Sequence, residues 1–147
     1  MIGKALVIGG GVGGMSAALA LARRGVEVEL ADADPQWRAY GAGISVTGLS
    51  LRAFDDLGIL DEVREKGFVG AGMRLRKPDG SVIMETPPLP RDAPPVARSG
   101  GIMRPVLHEI MSGKVRQAGV RVTLGAEVND LTQDAEGVSV TFPDGRQ

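Results

Sequence analysis

Between residues 4 and 32 the chain carries a strand, a glycine-rich turn, a helix and a second strand in unbroken succession, and no other stretch restricts the fold as much. Ala5-Leu6-Val7-Ile8 is short, apolar and β-branched enough for a buried parallel strand, and it runs directly into Gly9-Gly10-Gly11-Val12-Gly13-Gly14. This run contains G-x-G-x-x-G at Gly9, Gly11 and Gly14. In such a turn the first glycine allows a sharp exit from the strand, the second lets the backbone approach a pyrophosphate, and the third brings the helix close to the sheet. Small and apolar residues at Ala17, Ala18, Leu19, Leu21 and Ala22 predict a helix from about Val12 to Arg24. Arg23 and Arg24 lie at its negative end and Gly25 stops it, so its positive end faces the glycine loop. Val26 to Ala31 reads as the second strand and closes on Asp32, 18 residues beyond Gly14 (32 − 14). An acid at that distance accepts hydrogen bonds from ribose hydroxyls. In a chain with 22 glycines the motif alone would be weak evidence; the order of strand, loop, capped helix, strand and acid makes it a dinucleotide-binding unit.

The remaining composition narrows the classes of function. At 147 residues and 43% apolar, the chain has the size of one ordinary domain and enough apolar surface for a packed core. A formal charge of −1 with interspersed signs gives no basic stripe for nucleic acid, and three Phe, one Trp and one Tyr offer few stacking platforms. With no cysteine, thiolate chemistry and cysteine-ligated metal centres are excluded. Redox chemistry would therefore need a bound cofactor. No metal-ligating cluster is expected. The opening apolar stretch is too short for a membrane span or a signal core, which makes the cytoplasm the expected compartment.

Beyond Asp32 the pattern leaves the simple nucleotide-binding repeat. Pro35 to Tyr40 is irregular, Gly41 to Ile44 is a small-residue extended segment, and Thr47 can cap a helix through Leu57 that ends at Gly58. Leu51, Phe54 and Leu57 form its apolar face. Met73 to Arg76 and Ser81 to Met84 alternate as strands about Lys77-Pro78-Asp79-Gly80, an inserted antiparallel hairpin. Pro87, Pro88, Pro90, Pro94 and Pro95 then give an extended connector. From Arg104, Leu107, Ile110, Met111 and Val115 recur at helical spacing up to Gly119, and Val120 to Leu124 is a third parallel strand. Glu127 to Thr132 and Val138 to Phe142 form a meander about a turn at Asp134 to Gly137. Pro143-Asp144-Gly145 has the composition of another hairpin turn with no returning strand after it, so the end reads as a truncation. An unpaired strand edge there would favour self-association of the 147 residues and poor ligand binding. Trp37 reads as a local packing residue, His108 as a helix residue, and Met84, Met103 and Met111 as core filler.

Taken together, these blocks resemble the N-terminal portion of the FAD-dependent aromatic-ring hydroxylases, the group A flavoprotein monooxygenases. The likeness rests on Gly9 to Gly14, Asp32, Arg38, Gly41-Ala42-Gly43-Ile44, Leu57-Gly58-Ile59-Leu60, Ile102-Met103-Arg104-Pro105-Val106-Leu107 and Gly119-Val120-Arg121-Val122. It implies an α/β, Rossmann-like FAD-binding fold with a parallel sheet, a β-meander and the inserted antiparallel hairpin. Residues 1–70 and 100–147 would form the FAD-binding domain, and 71–99 part of a substrate-domain insertion.

The resemblance also implies roles. The FAD diphosphate would lie on the backbone of Gly11, Val12, Gly13 and Gly14 after the turn at Gly9, and Asp32 would hold the adenosine ribose. Ala42, Gly43 and Ile44 would run beside the isoalloxazine, Arg104 would reach the ribityl or pyrophosphate region, Arg38 would be a second cation, and the Val128 backbone would meet adenine. Relatives of this kind use NADH or NADPH and O2 to hydroxylate a small aromatic substrate, with catalytic residues expected outside this stretch. Two other classes share residues 1 to 32: a halogenase, epoxidase or amine oxidase, and a non-catalytic dinucleotide-binding fragment. The Gly41 to Leu60 and Arg104 blocks favour the hydroxylases.

Overall fold

A computed structural model of the chain describes residues 2–70, 72, 74–86, 89–90 and 93–145. In chain order it runs through strand β1 (Lys4–Ile8), helix α1 (Val12–Ala22), strand β2 (Glu27–Asp32), strand β3 (Gly43–Val46), and helices α2 (Gly48–Asp56) and α3 (Leu60–Lys66). Strands β4 (Phe68–Gly70), β5 (Arg74–Arg76) and β6 (Val82–Glu85) follow. A 3-10 turn at Pro95–Ala97 leads to strand β7 (Ser99–Met103), helix α4 (Arg104–Gln117), and strands β8 (Arg121–Leu124), β9 (Asp130–Gln133) and β10 (Val138–Thr141). The chain divides into two compact units, one of residues 1–39 with 111–147 and the other of residues 40–110.

The first unit is built on a parallel sheet in the order β1-β2-β8. Val7 lies opposite Leu30, and Asp32 opposite Leu124. The third parallel strand is thus residues 121–124, as the Val-rich run after Gly119 predicts. The central strand is the most buried, with Val28, Leu30 and Ala31 in the core. Helix α1 buries Met15, Ala18 and Leu19 and passes through the Arg23 cap into Gly25. At the sheet surface Arg121 pairs with Glu27 and Glu29, 3.6 and 3.2 Å away. Strands β9 and β10 form an antiparallel pair that Asn129 extends by donating its amide to the Thr141 carbonyl, 2.8 Å.

The second unit has an antiparallel sheet in the order β3-β7-β4, with Ile44 opposite Ile102 and Phe68 opposite Gly101. Thr47 caps α2 by accepting from the Ser50 amide at 3.4 Å, and Leu51, Phe54 and Leu57 are buried as their spacing requires. The hairpin β5–β6 closes through the Lys77 amide on the Ser81 carbonyl, with Arg74 and Glu85 paired across it. Met73, Pro87 and Pro88 lie outside the described residues.

Several expectations need correction. Helix α3, strand β4 and strand β7 have no counterpart in the sequence pattern; α3 and β4 are short, and the two glycines of Ser99-Gly100-Gly101-Ile102-Met103 hide the alternation of a strand. The proline connector is not wholly extended, because Pro95 starts a 3-10 turn, where its fixed φ suits the first helical position. Met111 is fully buried, but Met84 and Met103 are half exposed and fill no core.

Candidate dinucleotide site

In the first unit the glycine loop is defined by four backbone arrangements. Gly9 leaves β1 at φ +96° and donates its amide to the Ala31 carbonyl at 2.8 Å, which ties the turn to β2. A Cβ on Gly14 would overlap the Gly9 carbonyl oxygen, so this third motif glycine permits α1 to start directly against the turn. Gly11 forms the N-cap of α1 without a side-chain cap, and the first helical bond runs from the Met15 amide to the Gly11 carbonyl at 2.9 Å. The amides of Gly11, Val12, Gly13 and Gly14 therefore have no acceptor within the helix and carry its positive end. Finally, Cβ positions at Gly11 and Gly13 are in open space, which leaves room for a group laid on the backbone.

Asp32 sits at the end of β2, half-buried, and its carboxylate faces the loop. Its Oδ2 accepts from the Gly10 amide at 2.6 Å and its Oδ1 from the Asp34 amide at 2.8 Å. The acid thus braces the loop itself, a function that the spacing to Gly14 does not disclose. Each carboxylate oxygen has a second lone pair, so ribose hydroxyls could still be accepted.

Trp37 does more than pack locally. It is 6% exposed, its φ is +47°, and its indole Nε1 donates to the Gly10 carbonyl at 2.8 Å. Its neighbour Arg38 is held by Asp34, Nε to Oδ2 at 3.1 Å, rather than presented as an unpaired cation. Hydrogen bonds from the Arg38 side chain, then from the Gln36 amide, hold the Asp34 carboxyl below the usual aspartate range.

Val128 lies in the coil between β8 and β9, because the strand expected over Glu127 to Thr132 begins only at Asp130. Close by in sequence, Ala126 donates its amide to the Asp32 carbonyl at 2.9 Å. Ala33, Ala126, Glu127 and Phe142 help line a concavity of about 240 Å³ in the same unit. A larger apolar cavity, about 720 Å³, opens between β1 and the β9–β10 pair, but none of the expected site residues lines it.

In the second unit, Gly43 and Ile44 lie on β3 with Ala42 just before it, and the Arg104 amide donates to the Ala42 carbonyl at 2.9 Å. This bond places the start of α4 beside the small-residue segment. A Cβ on Gly41 would stand 3.2 Å from Arg104 Cδ, so the side chain of Arg104 passes across the glycine. Arg104 is exposed, and its guanidinium has no hydrogen-bond or ion-pair partner among the described residues. Gly43, Ile44, Lys66 and Met103 border an open concavity of about 390 Å³.

A family model described as FAD binding domain matches residues 3–147. The chain is 33% identical to FAD-dependent monooxygenase OpS4 of Beauveria bassiana, over 97% of this chain and 34% of that protein. It is also 33% identical to FAD-dependent urate hydroxylase of Klebsiella oxytoca, over 97% and 37%. Among solved structures it is similar to the tetrameric form of 2-methyl-3-hydroxypyridine-5-carboxylic acid oxygenase, with a TM-score of 0.77, 26% identity, and coverage of 99% of this chain and 36% of that one. The chain spans about a third of the length of the curated relatives it matches.

Proposed function

The chain belongs to the FAD binding domain family, and from that premise we propose that it serves a flavin-dependent monooxygenase acting on a small aromatic molecule in the cytoplasm. The observation that carries this reading is the uncapped start of α1, with open space over Gly11 and Gly13 and a loop braced by Asp32. Four amides there match the acceptor oxygens of a diphosphate. We assign the FAD diphosphate to the backbone of Gly11, Val12, Gly13 and Gly14, with Gly9 making the turn, and the adenosine ribose to Asp32. Val128 is assigned to the adenine side. In the second unit we assign Ala42, Gly43 and Ile44 to the isoalloxazine, since Ala42 and Gly43 offer little side-chain bulk and Ile44 adds an apolar surface, and Arg104 to the ribityl or phosphate region, where a fork of donors suits oxyanions. Arg38 is a further cation for the cofactor, reached only by giving up Asp34.

When bound, FAD supplies the redox chemistry, drawing reducing equivalents from NADH or NADPH and delivering one oxygen atom of O2 to the aromatic substrate. This chain's own residues bind and orient the cofactor; no residue here is assigned to the chemical step. We propose that 71–99 contributes to the substrate side and that 1–70 with 100–147 contributes to FAD binding. A second reading has support in the similarity, 25% identical with a TM-score of 0.71, to the Diels-Alderase PyrE3 of pyrroindomycin biosynthesis. Likeness over this region therefore accompanies more than one chemistry.

The test is a flavin-fluorescence titration of the parent and of Gly11→Val. The branched side chain would fill the open space over the loop, and the expected loss is about tenfold or more in FAD affinity, the cost of losing at least one charge-assisted contact. Equal affinity would remove the loop from the FAD site. NADH or NADPH oxidation that rises with added hydroxylated aromatic compounds, with oxygen incorporated into the product, separates the monooxygenase from a non-oxidative enzyme.

A further inference from the structure

Trp37 touches the glycine loop from outside the βαβ unit, and four observations converge on it. Its indole N–H donates to the Gly10 carbonyl at 2.8 Å across 27 residues of sequence. A Cβ on Gly10 would overlap the indole Nε1, so Gly10 and Trp37 fit one another. The Arg116 guanidinium carbon lies 4.8 Å from the centroid of the ring, within cation–π range. Trp37 also adopts φ +47°, rare for a bulky residue, within a turn in which Asp34 accepts from the Gln36 and Arg38 amides and from the Trp37 amide itself.

Peptide planarity turns this contact into a constraint on the ligand side. In a trans peptide the carbonyl and the following N–H point in opposite directions. Holding the Gly10 carbonyl toward the indole therefore holds the Gly11 N–H away from it. The preceding peptide is fixed in the same manner from its other end, because the Gly10 N–H is held by Asp32 at 2.6 Å. Two side chains from beyond the loop thus lock both peptide planes flanking Gly10. We infer that Trp37 is a positioning residue for the diphosphate loop: it acts through Gly10 to orient the Gly11 amide before the ligand arrives. A buried indole without the hydrogen bond would fill space equally well, but it would leave that peptide able to rotate.

This inference rests on the FAD reading of the loop. Replacing Trp37 by β-(3-benzothienyl)alanine keeps the bicyclic shape and removes the N–H. The expected result is FAD affinity about tenfold weaker, the scale of one hydrogen bond's loss, with an unfolding temperature close to the parent's. In the ligand-free protein the Gly11 amide signal should shift and broaden, and that of Gly25, at the opposite end of α1, should not. Trp37→Phe is the second variant if the first does not fold; it should give the same loss of FAD affinity and the same change in the Gly11 signal, with a lower unfolding temperature because the smaller ring leaves a cavity. Unchanged FAD affinity and an unchanged Gly11 signal, alongside weakened binding in Gly11→Val, would overturn the positioning role and leave the site standing. Unchanged affinity in Gly11→Val as well would overturn the FAD reading and this inference with it.

Discussion

The loop at residues 9–14 and the segment at residues 41–44 are both assigned to the same cofactor, yet they are held in different ways. The first is fixed by side chains: Asp32 takes the Gly10 amide, Trp37 takes the Gly10 carbonyl, and Gly14 lies against Gly9. The second is fixed by backbone pairing, β3 against β7 and the Arg104 amide on the Ala42 carbonyl, while the Arg104 side chain stays exposed. A braced loop meets a ligand with little left to order. An exposed arginine loses rotamer freedom on binding, so its contribution is net of that cost.

The strongest way to break this comparison is at Gly14. Gly14→Ala forces a Cβ onto the Gly9 carbonyl, where a backbone atom cannot swing aside, and should destabilise the protein by about 3 kcal/mol or more. Gly13→Ala, one residue earlier with open space, should be neutral or stabilise the ligand-free protein by about 0.5 kcal/mol through helix propensity. Urea unfolding of the two variants measures the difference; similar costs at both positions would mean that the loop is not packed as described.

A smaller effect separates the two arginines. Arg104→Ala should weaken FAD retention by about 1.5–3 kcal/mol, the range of a hydrogen bond to a charged group, without lowering stability. Arg121→Ala, which removes exposed pairs with Glu27 and Glu29, should leave retention alone and cost at most about 1 kcal/mol of stability. Dialysis of the flavin-loaded variants followed by absorbance decides it, and greater flavin loss from Arg121→Ala would contradict the assignment in the second unit.

The smallest effect is electrostatic. Arg38 lowers the Asp34 carboxyl below its ordinary value, so their pairing stabilises the fold above that ordinary value and the benefit fades as pH falls through the lowered one. Arg38→Gln should raise the Asp34 pKa toward the usual aspartate range, read by following the Asp34 carboxyl carbon by NMR through an acid titration. An unmoved titration would detach Arg38 from Asp34.

What the sequence made legible follows the physical range of each signal. Strand, glycine loop, helix and terminal acid are legible because each depends mainly on neighbours a few residues away, and helical spacing alone puts Leu51, Phe54 and Leu57 on one buried face. The Trp37 contact joins residues 27 apart and has no periodicity, so only the folded turn reveals it. Asp34 and Arg38 stand four residues apart, but Pro35 and the irregular backbone between them give no helix face on which to expect the pair. Strand β7 was hidden by its glycines, and with it the partner that positions Gly43 and Ile44.

The central claim is that the backbone amides after Gly9 receive the FAD diphosphate. It is tested most directly by following ¹H–¹⁵N signals during an FAD titration. The account predicts that the amides of Gly11, Val12, Gly13 and Gly14 move most in the first unit, with Asp32 next and the exposed hairpin at Lys77 to Ser81 still. Saturable FAD binding that leaves those four amides in place would contradict it.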